Sequence, residues 1–141
     1  MPPSDPFNLN RFEKAQNPVI EQVRRELREG RKRTHWMWFV FPQLIGLGRS
    51  PMSQLYSLAS LAEAQAYMQH PVLGPRLIEC VTLVNAVEGR SAYDIFGTPD
   101  DRKFHSSMTL FAMAQPGETA FRAALDKYFR GELDPLTHMS D

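Results

Sequence analysis

The stretch PVIEQVRRELREG, residues 18–30, decides the fold class because it has the periodicity of an amphipathic helix. Val19, Val23 and Leu27 recur every four residues, so they share one face, while arginine and glutamate occupy the other. A proline at the start and Gly30 at the end are typical of helix boundaries. The stretch therefore predicts a short helix that packs one face against a core.

Helix signals of the same kind recur along the rest of the chain. Capping residues or prolines precede the apolar-periodic segments, and glycine or proline follows many of them. Alternating β-branched runs joined by Asn-Gly or Asp-Gly turns, which indicate hairpins, are absent. The patterns predict helices over residues 35–41 (capped by Thr34), from Ser50-Pro51 onward, and over residues 60–69, 73–87, 98–114 (capped by Thr98) and 118–129.

We therefore predict an all-α fold, a single compact domain of about five to seven short helices over residues 1–141. Residues 1–9 and 132–141 are expected to form an irregular arm and tail. A chain of 141 residues can bury roughly 70% of its unfolded surface. Its 43% hydrophobic and 23% charged residues are typical of a folded globular protein.

Charge and hydropathy narrow the range of partners. Sixteen basic residues balance sixteen acidic ones, so the net charge gives no overall attraction to nucleic acid or to an anionic membrane. The longest apolar run, residues 36–41, is far shorter than the roughly twenty residues of a membrane span.

Cys80 is the only cysteine and lies near an apolar stripe, which favours an inert core thiol. The N-terminus lacks a signal-peptide pattern, and we expect a cytoplasmic protein with no membrane partner.

No known catalytic signature is visible in the chain. The histidines have no second histidine or cysteine three or four residues away, so no metal site is predicted. No phosphate-loop or dinucleotide fingerprint occurs, and no cofactor is expected. His70, which precedes a proline, is expected to close a helix, and we assign no catalytic role to His105.

Both tryptophans fall in one run, GRKRTHWMWFVFPQ, residues 30–43. On a helix, residues 36–41 of this run are apolar nearly all round, which is typical of a buried helix. In the functional interpretation, Trp36 or Trp38 borders a pocket and stacks on a planar ring, while a nearby arginine or lysine meets a phosphate or carboxylate. Both interpretations hold together if the helix forms the floor of a cleft.

A second block, GLGRS, residues 46–50, directly precedes a predicted helix start. Gly46 and Gly48 would let backbone N–H groups approach an anion, and Arg49 could add a bidentate contact. The alternative is a tight connector that ends in an N-cap at Ser50.

A third block, DDRKFHSSMTLF, residues 100–111, is predicted to be helical. Lys103 and Ser107 lie one turn apart beside an apolar stripe, with Ser106 next to them. They could line a polar pocket. The alternative is a solvated flank whose serines bond to helical carbonyls.

Together with DPFNLNRFEKAQ (5–16), HPVLGPRL (70–77) and FRAALDKYFRGELDP (121–135), these blocks make the chain resemble the uncharacterised bacterial domain-of-unknown-function family 1810, sometimes mislabelled calpastatin. The resemblance covers nearly the whole chain and implies a mainly α-helical domain without an established activity. A weaker similarity in size and helicity links the chain to NADAR-type domains, which act on ADP-ribose derivatives. The positions that match the family's blocks are His35, Trp36, Trp38, Pro42, Gln43, Gly46, Gly48, Ser50, Lys103, Ser106 and Ser107.

Our leading hypothesis is that the three blocks converge on one cleft that binds a small anionic, nucleotide-like ligand such as an ADP-ribose derivative. A tryptophan would stack on the ring, Arg49 would hold the anion, and Gln43 and Lys103 would orient the rest. If the protein is an enzyme, hydrolysis of an N-glycosidic or ADP-ribose-type linkage is the class to test first. Asp100 and Asp101 are the carboxylates nearest to Lys103 in sequence.

Two further classes of function stay open at this point. One is a non-catalytic protein-interaction module with no small-molecule site, in which the blocks are only core and caps. The other is RNA binding by residues 31–33 together with an exposed tryptophan, which would depend steeply on salt. The balanced charge makes nucleic acid the less favoured partner.

Overall fold

The structure is a computed structural model that describes residues 5–47, 50–135 and 137. Within these ranges the chain forms helices and no strand, which confirms the all-α prediction. The nine helices of this part are α1 (Asn10–Gln16), α2 (Ile20–Glu29), α3 (Met37–Val40), α4 (Pro51–Leu55), α5 (Leu61–Gln69), α6 (Leu73–Asn85), α7 (Ala92–Phe96), α8 (Asp100–Ala114) and α9 (Thr119–Phe129).

The predicted number of five to seven helices was too low because several helices are very short. α3 has four residues, and α4 and α7 have five each. α1 has seven residues and no side-chain cap at its start. Helices of this length are marginal on their own and depend on packing, so local sequence signals mark them poorly.

Two predicted caps differ from the structure. Thr34 does not cap α3, which begins at Met37; its hydroxyl donates instead to the Glu26 carboxylate at 2.7 Å. Thr98 does not cap α8, which begins at Asp100 with no side-chain cap. Two aspartates in the first turn of α8 supply the negative charge that suits a helix N-terminus.

The buried hydrophobic side chains form one cluster around α8. α8 packs against α5, α7 and α9, α6 packs against α2, α5 and α9, and α1 packs against α3. No helix in the described ranges has the length and apolar character that crossing a membrane requires. The predicted core stripes are buried at Val23, Leu27, Leu77, Val81, Val84, Phe104, Met108 and Phe111.

α5 and α6 approach each other closely at Gly74. A Cβ at this position would lie 2.2 Å from the backbone oxygen of Met68, so only glycine permits the contact. Cys80, further along α6, is buried, and this burial raises the pKa of its thiol to about 12. The thiol is therefore a core group, as the sequence predicts.

Candidate functional site

A buried carboxylate, Glu26 on α2, organises the loop that leads into α3. It accepts hydrogen bonds from the backbone N–H of Arg33 at 2.7 Å and from the N–H and hydroxyl of Thr34 at 3.1 and 2.7 Å. The indole Nε1 of Trp36 donates to the same carboxylate at 2.9 Å, and Gln22 Nε2 donates at 2.8 Å. These donors fix both the loop and the Trp36 ring.

The same donors set the ionisation of Glu26. Burial by itself raises the pKa of a carboxyl group because it disfavours the charged form. The hydrogen bonds from the Arg33 backbone and from three neighbouring side chains outweigh that effect and lower the pKa of Glu26 to about 2. Glu26 is therefore an ionised buried group at neutral pH.

We expect this ionisation to make stability depend on pH. Because the pKa of Glu26 falls from 4.5 in the unfolded chain to about 2 in the fold, its contribution is complete above pH 4.5 and is lost as the pH falls toward 2. The contribution lost is about 3 kcal/mol. Urea unfolding of the wild type and of Glu26→Gln at several pH values measures it. Equal pH dependence in the two proteins would contradict the assignment.

Two lysines converge on one carboxylate where this loop meets α8. Lys32 Nζ lies 2.9 Å from Asp100 Oδ2, and Lys103 Nζ lies 3.6 Å from Asp100 Oδ1. Lys32 Nζ also lies 5.2 Å from the Trp36 ring centroid, and Lys103 Nζ lies 5.1 Å from the Trp38 ring centroid. We call these five residues the lysine–tryptophan cluster.

The lysine–tryptophan cluster carries one net positive charge, because two ammonium groups share one carboxylate. The side chains of Lys32, Lys103 and Asp100 are 8%, 20% and 21% exposed. Charges that are partly removed from water interact more strongly than fully solvated ones. The ionised Glu26 lies beside the cluster, bound to Trp36 Nε1, and Lys103 is the more exposed of the two ammonium groups, so Lys103 is the one that can meet an anion from solvent.

The two tryptophans of the cluster are in different environments. Trp36 is buried, its ring lies 6.0 Å from that of Phe41, and its Nε1 is bound to Glu26. Trp38 is only partly buried. The suggestion that Trp36 stacks on a ligand is therefore corrected: its ring is enclosed by protein, and Trp38 is the indole at the protein surface.

The serines of α8 do not form a solvated flank. Ser106 and Ser107 are both buried. The Ser106 hydroxyl donates to the Asp134 carboxylate at 2.5 Å and lies 3.1 Å from the Arg102 carbonyl one turn earlier, so it holds the C-terminal segment against α8. Of the three candidates on this helix, Lys103 belongs to the cluster and Ser106 binds the C-terminal segment. Ser107 is buried without a described hydrogen-bond partner.

The segment 46–50 is described only in part. Gly48 and Arg49 lie outside the described residues, so their predicted roles in anion binding stay predictions. Gly46 is exposed with a left-handed φ of 95°. Ser50 caps α4 by accepting a backbone N–H at 3.1 Å, which confirms the predicted cap.

Gln43 and His35 flank the tryptophan run on its two sides. Gln43 is half-buried, and its carbonyl accepts the N–H of Leu58 at 2.8 Å. His35 is exposed. Among the described contacts, neither residue makes a hydrogen bond to Lys103, so the structure joins two of the three predicted blocks through other side chains.

His70 and His105, for which the sequence predicts no catalytic role, each make contacts that stabilise the fold. His70 is the C-cap residue that directly follows α5, and its Nδ1 accepts the N–H groups of Val72 and Leu73 at 3.1 and 3.2 Å. The His105 ring stacks on Phe129 with centroids 4.0 Å apart. No group of three metal-ligating side chains occurs in the part of the chain that the structure describes.

Sequence reasoning missed Glu26 and did not select Lys32 individually within the basic run. The available signal for Glu26 was its position three residues after Val23, on the buried face of α2. A charged residue on that face is unusual unless it is hydrogen-bonded. Lys32 gave no such signal, because its partner Asp100 is distant in sequence.

The fold and the cluster define a small all-α protein in which two polar-aromatic segments meet. The family model described as a protein of unknown function, DUF1810, matches residues 6–140, and the chain belongs to this family. The chain is similar to the crystal structure of the conserved hypothetical protein Rv1873 from Mycobacterium tuberculosis, with 60% identity and a TM-score of 0.93 over 94% of this chain and 95% of that chain. A search of curated proteins gave no match.

Proposed function

We propose that the protein binds a small anionic, ring-containing ligand of the nucleotide type at the lysine–tryptophan cluster. The observation that carries this proposal is the convergence of Lys32 and Lys103 on Asp100 beside Trp38. An anion can take over one ammonium group while the carboxylate keeps the other. Lys103 is the better candidate for exchange, because its distance to Asp100 is longer and its side chain is more exposed than that of Lys32.

An ADP-ribose derivative is the ligand class to test first. Such a compound combines phosphoryl oxygens for the ammonium groups with planar and sugar rings that can lie against the partly exposed indole of Trp38. If the protein is an enzyme, we propose hydrolysis of an N-glycosidic or ADP-ribose-type linkage. Asp100 is the carboxylate of the cluster and the first candidate for a proton-transfer role in that reaction.

Ligand-induced stabilisation tests the binding proposal. The wild type and Lys103→Met are unfolded in the presence of ADP-ribose, NAD, nucleotides and sugar phosphates, with Lys14→Met, at an exposed residue of α1, as the matched control. At a hundred times its dissociation constant, a ligand stabilises the native state by about 2.7 kcal/mol. We expect this gain in the wild type and in Lys14→Met and its loss in Lys103→Met. No gain with any compound would overturn the proposal.

One observation favours the second candidate function, a non-catalytic protein-interaction module. α4 contributes no buried residue to the core; its last residue, Leu55, is 53% exposed, and Ile45, which precedes the helix in the chain, is 54% exposed. This surface lies outside the lysine–tryptophan cluster. If the ligand screen fails, the interaction function becomes the better proposal.

The RNA alternative is weakened by the contacts of the basic run. Lys32 is paired with Asp100, and Arg33 is paired with Glu29. Trp36 is buried, which leaves the partly exposed Trp38 as the only tryptophan that could stack on a base. RNA-binding surfaces of this kind need several available cations beside an exposed aromatic ring. Within the basic run, Arg31 is exposed and has no ion pair among the described contacts, so it alone could bind RNA without first losing a partner.

A further inference from the structure

Two buried polar groups near the lysine–tryptophan cluster have no hydrogen-bond partner within the described residues. They are the indole Nε1 of Trp38 and the hydroxyl of Ser107. Buried donors without a partner are rare in folded proteins, because each one has given up its hydrogen bonds to water. Such a group takes its hydrogen bond from an ordered water or from a bound ligand.

Neighbouring side chains of the same chemistry do have hydrogen-bond partners, in contrast to Trp38 Nε1 and Ser107 Oγ. The other indole, that of Trp36, donates to Glu26. The hydroxyl of Thr109, on the same helix as Ser107, donates to the carbonyl one turn earlier at 2.9 Å. Back-bonding of this kind is the usual outcome for a buried hydroxyl in a helix. Ser107 does not use it, so its hydroxyl is available to another acceptor or donor.

The two groups flank the same lysine. Lys103 Nζ lies over the Trp38 ring, 5.1 Å from its centroid. Ser107 follows Lys103 by one helical turn and lies on the same face of α8. Lys103 is therefore next to both groups: its ammonium lies over the Trp38 ring, and its Cα is one helical turn from that of Ser107.

We infer that Trp38 acts in ligand binding as a hydrogen-bond donor, and that Trp38 Nε1, Lys103 Nζ and Ser107 Oγ together form a subsite for a phosphoryl group. The inference rests on the proposed function and names the chemistry of its anionic end. An indole N–H and an ammonium can only donate, so the ligand must supply acceptor oxygens. A phosphoryl group supplies several oxygens and a negative charge, which matches three donors of which one is a cation.

The two tryptophans allow a direct test by NMR. The ¹⁵N-labelled wild type has two indole N–H signals, which Trp38→Phe assigns. Titration with inorganic pyrophosphate, and separately with ADP-ribose, should move the Trp38 indole proton downfield, because the N–H gains a charged acceptor. The Trp36 signal should stay in place, since that N–H is already bound to Glu26. An unmoved Trp38 signal in a ligand-saturated protein would overturn the inference.

Binding measurements on variants give an independent readout. Trp38→Phe removes the N–H and keeps an aromatic ring, and Ser107→Ala removes only the hydroxyl. Each should weaken pyrophosphate and ADP-ribose binding about tenfold by calorimetry, as expected for a lost hydrogen bond to an anion. Thr109→Val removes a buried hydroxyl of the same helix that already has two partners, the His105 carbonyl and the Asp134 N–H, and should bind as the wild type does.

The outcomes separate this inference from the proposed function. Suppose that ADP-ribose binds the wild type, and that Lys103→Met weakens this binding while Trp38→Phe and Ser107→Ala do not. Ligand binding then stands and the phosphoryl subsite is wrong. If neither probe binds the wild type, the proposed function is overturned and the subsite with it. Binding weakened by all three variants, with Thr109→Val unaffected, establishes the subsite.

Discussion

Replacement of Glu26 by alanine is expected to lower the free energy of unfolding by about 4 kcal/mol. The loss has a specific cause. The substitution leaves the indole N–H of Trp36 and the backbone N–H groups of Arg33 and Thr34 without their acceptor. Each buried donor without a partner costs roughly 1–3 kcal/mol, and part of this cost is recovered when water reaches the loop. Urea unfolding at neutral pH measures the change.

Glu29→Ala is the matched control for this prediction. Glu29 lies on the same helix, is exposed, and pairs with Arg33 at the surface. Exposed ion pairs contribute about 0–1 kcal/mol, so this variant should stay within 1 kcal/mol of the wild type. A similar loss in Glu26→Ala and Glu29→Ala would show that the buried carboxylate has no special role.

The fold class could be predicted from local patterns because most helices carry their own signals. α2 shows the four-residue spacing and ends at Gly30 in a left-handed conformation, as its sequence indicates. The capping serines at positions 50, 60 and 91 each accept a backbone N–H at a helix start. Local signals failed where the partner is on another element. Thr34 has the residue type of an N-cap, but its hydroxyl donates to Glu26 on α2 instead.

The candidate site could be predicted only in its residue types. The tryptophan run and the lysine of α8 were selected for their chemistry, and the structure joins them through Lys103 and Trp38. The sequence could not show that Lys32 shares Asp100 with Lys103, because that contact joins segments far apart in the chain. It also could not distinguish Trp36 from Trp38, since both occur in the same apolar run and differ only in their tertiary surroundings.

An aromatic cluster beneath the site fixes α3 against α8. The ring of Phe104, which directly follows Lys103, lies 5.0 Å from that of Phe41 and 4.7 Å from that of Phe96. Phe41 directly follows α3, the helix that carries Trp38. The edge-to-face contact between Phe41 and Phe104 therefore sets the distance between the indole and the lysine above them.

Phe104→Ala is accordingly expected to have two effects. It removes a fully buried ring and leaves a cavity, so the free energy of unfolding should fall by about 4 kcal/mol. It should also loosen the contact between α3 and α8 and weaken ligand binding in the fraction that stays folded. Chemical unfolding and calorimetry measure the two effects. Tyr93→Ala, at an aromatic side chain that is 61% exposed on α7, should change neither by a comparable amount. Equal stability losses in the two variants would contradict the role assigned to Phe104.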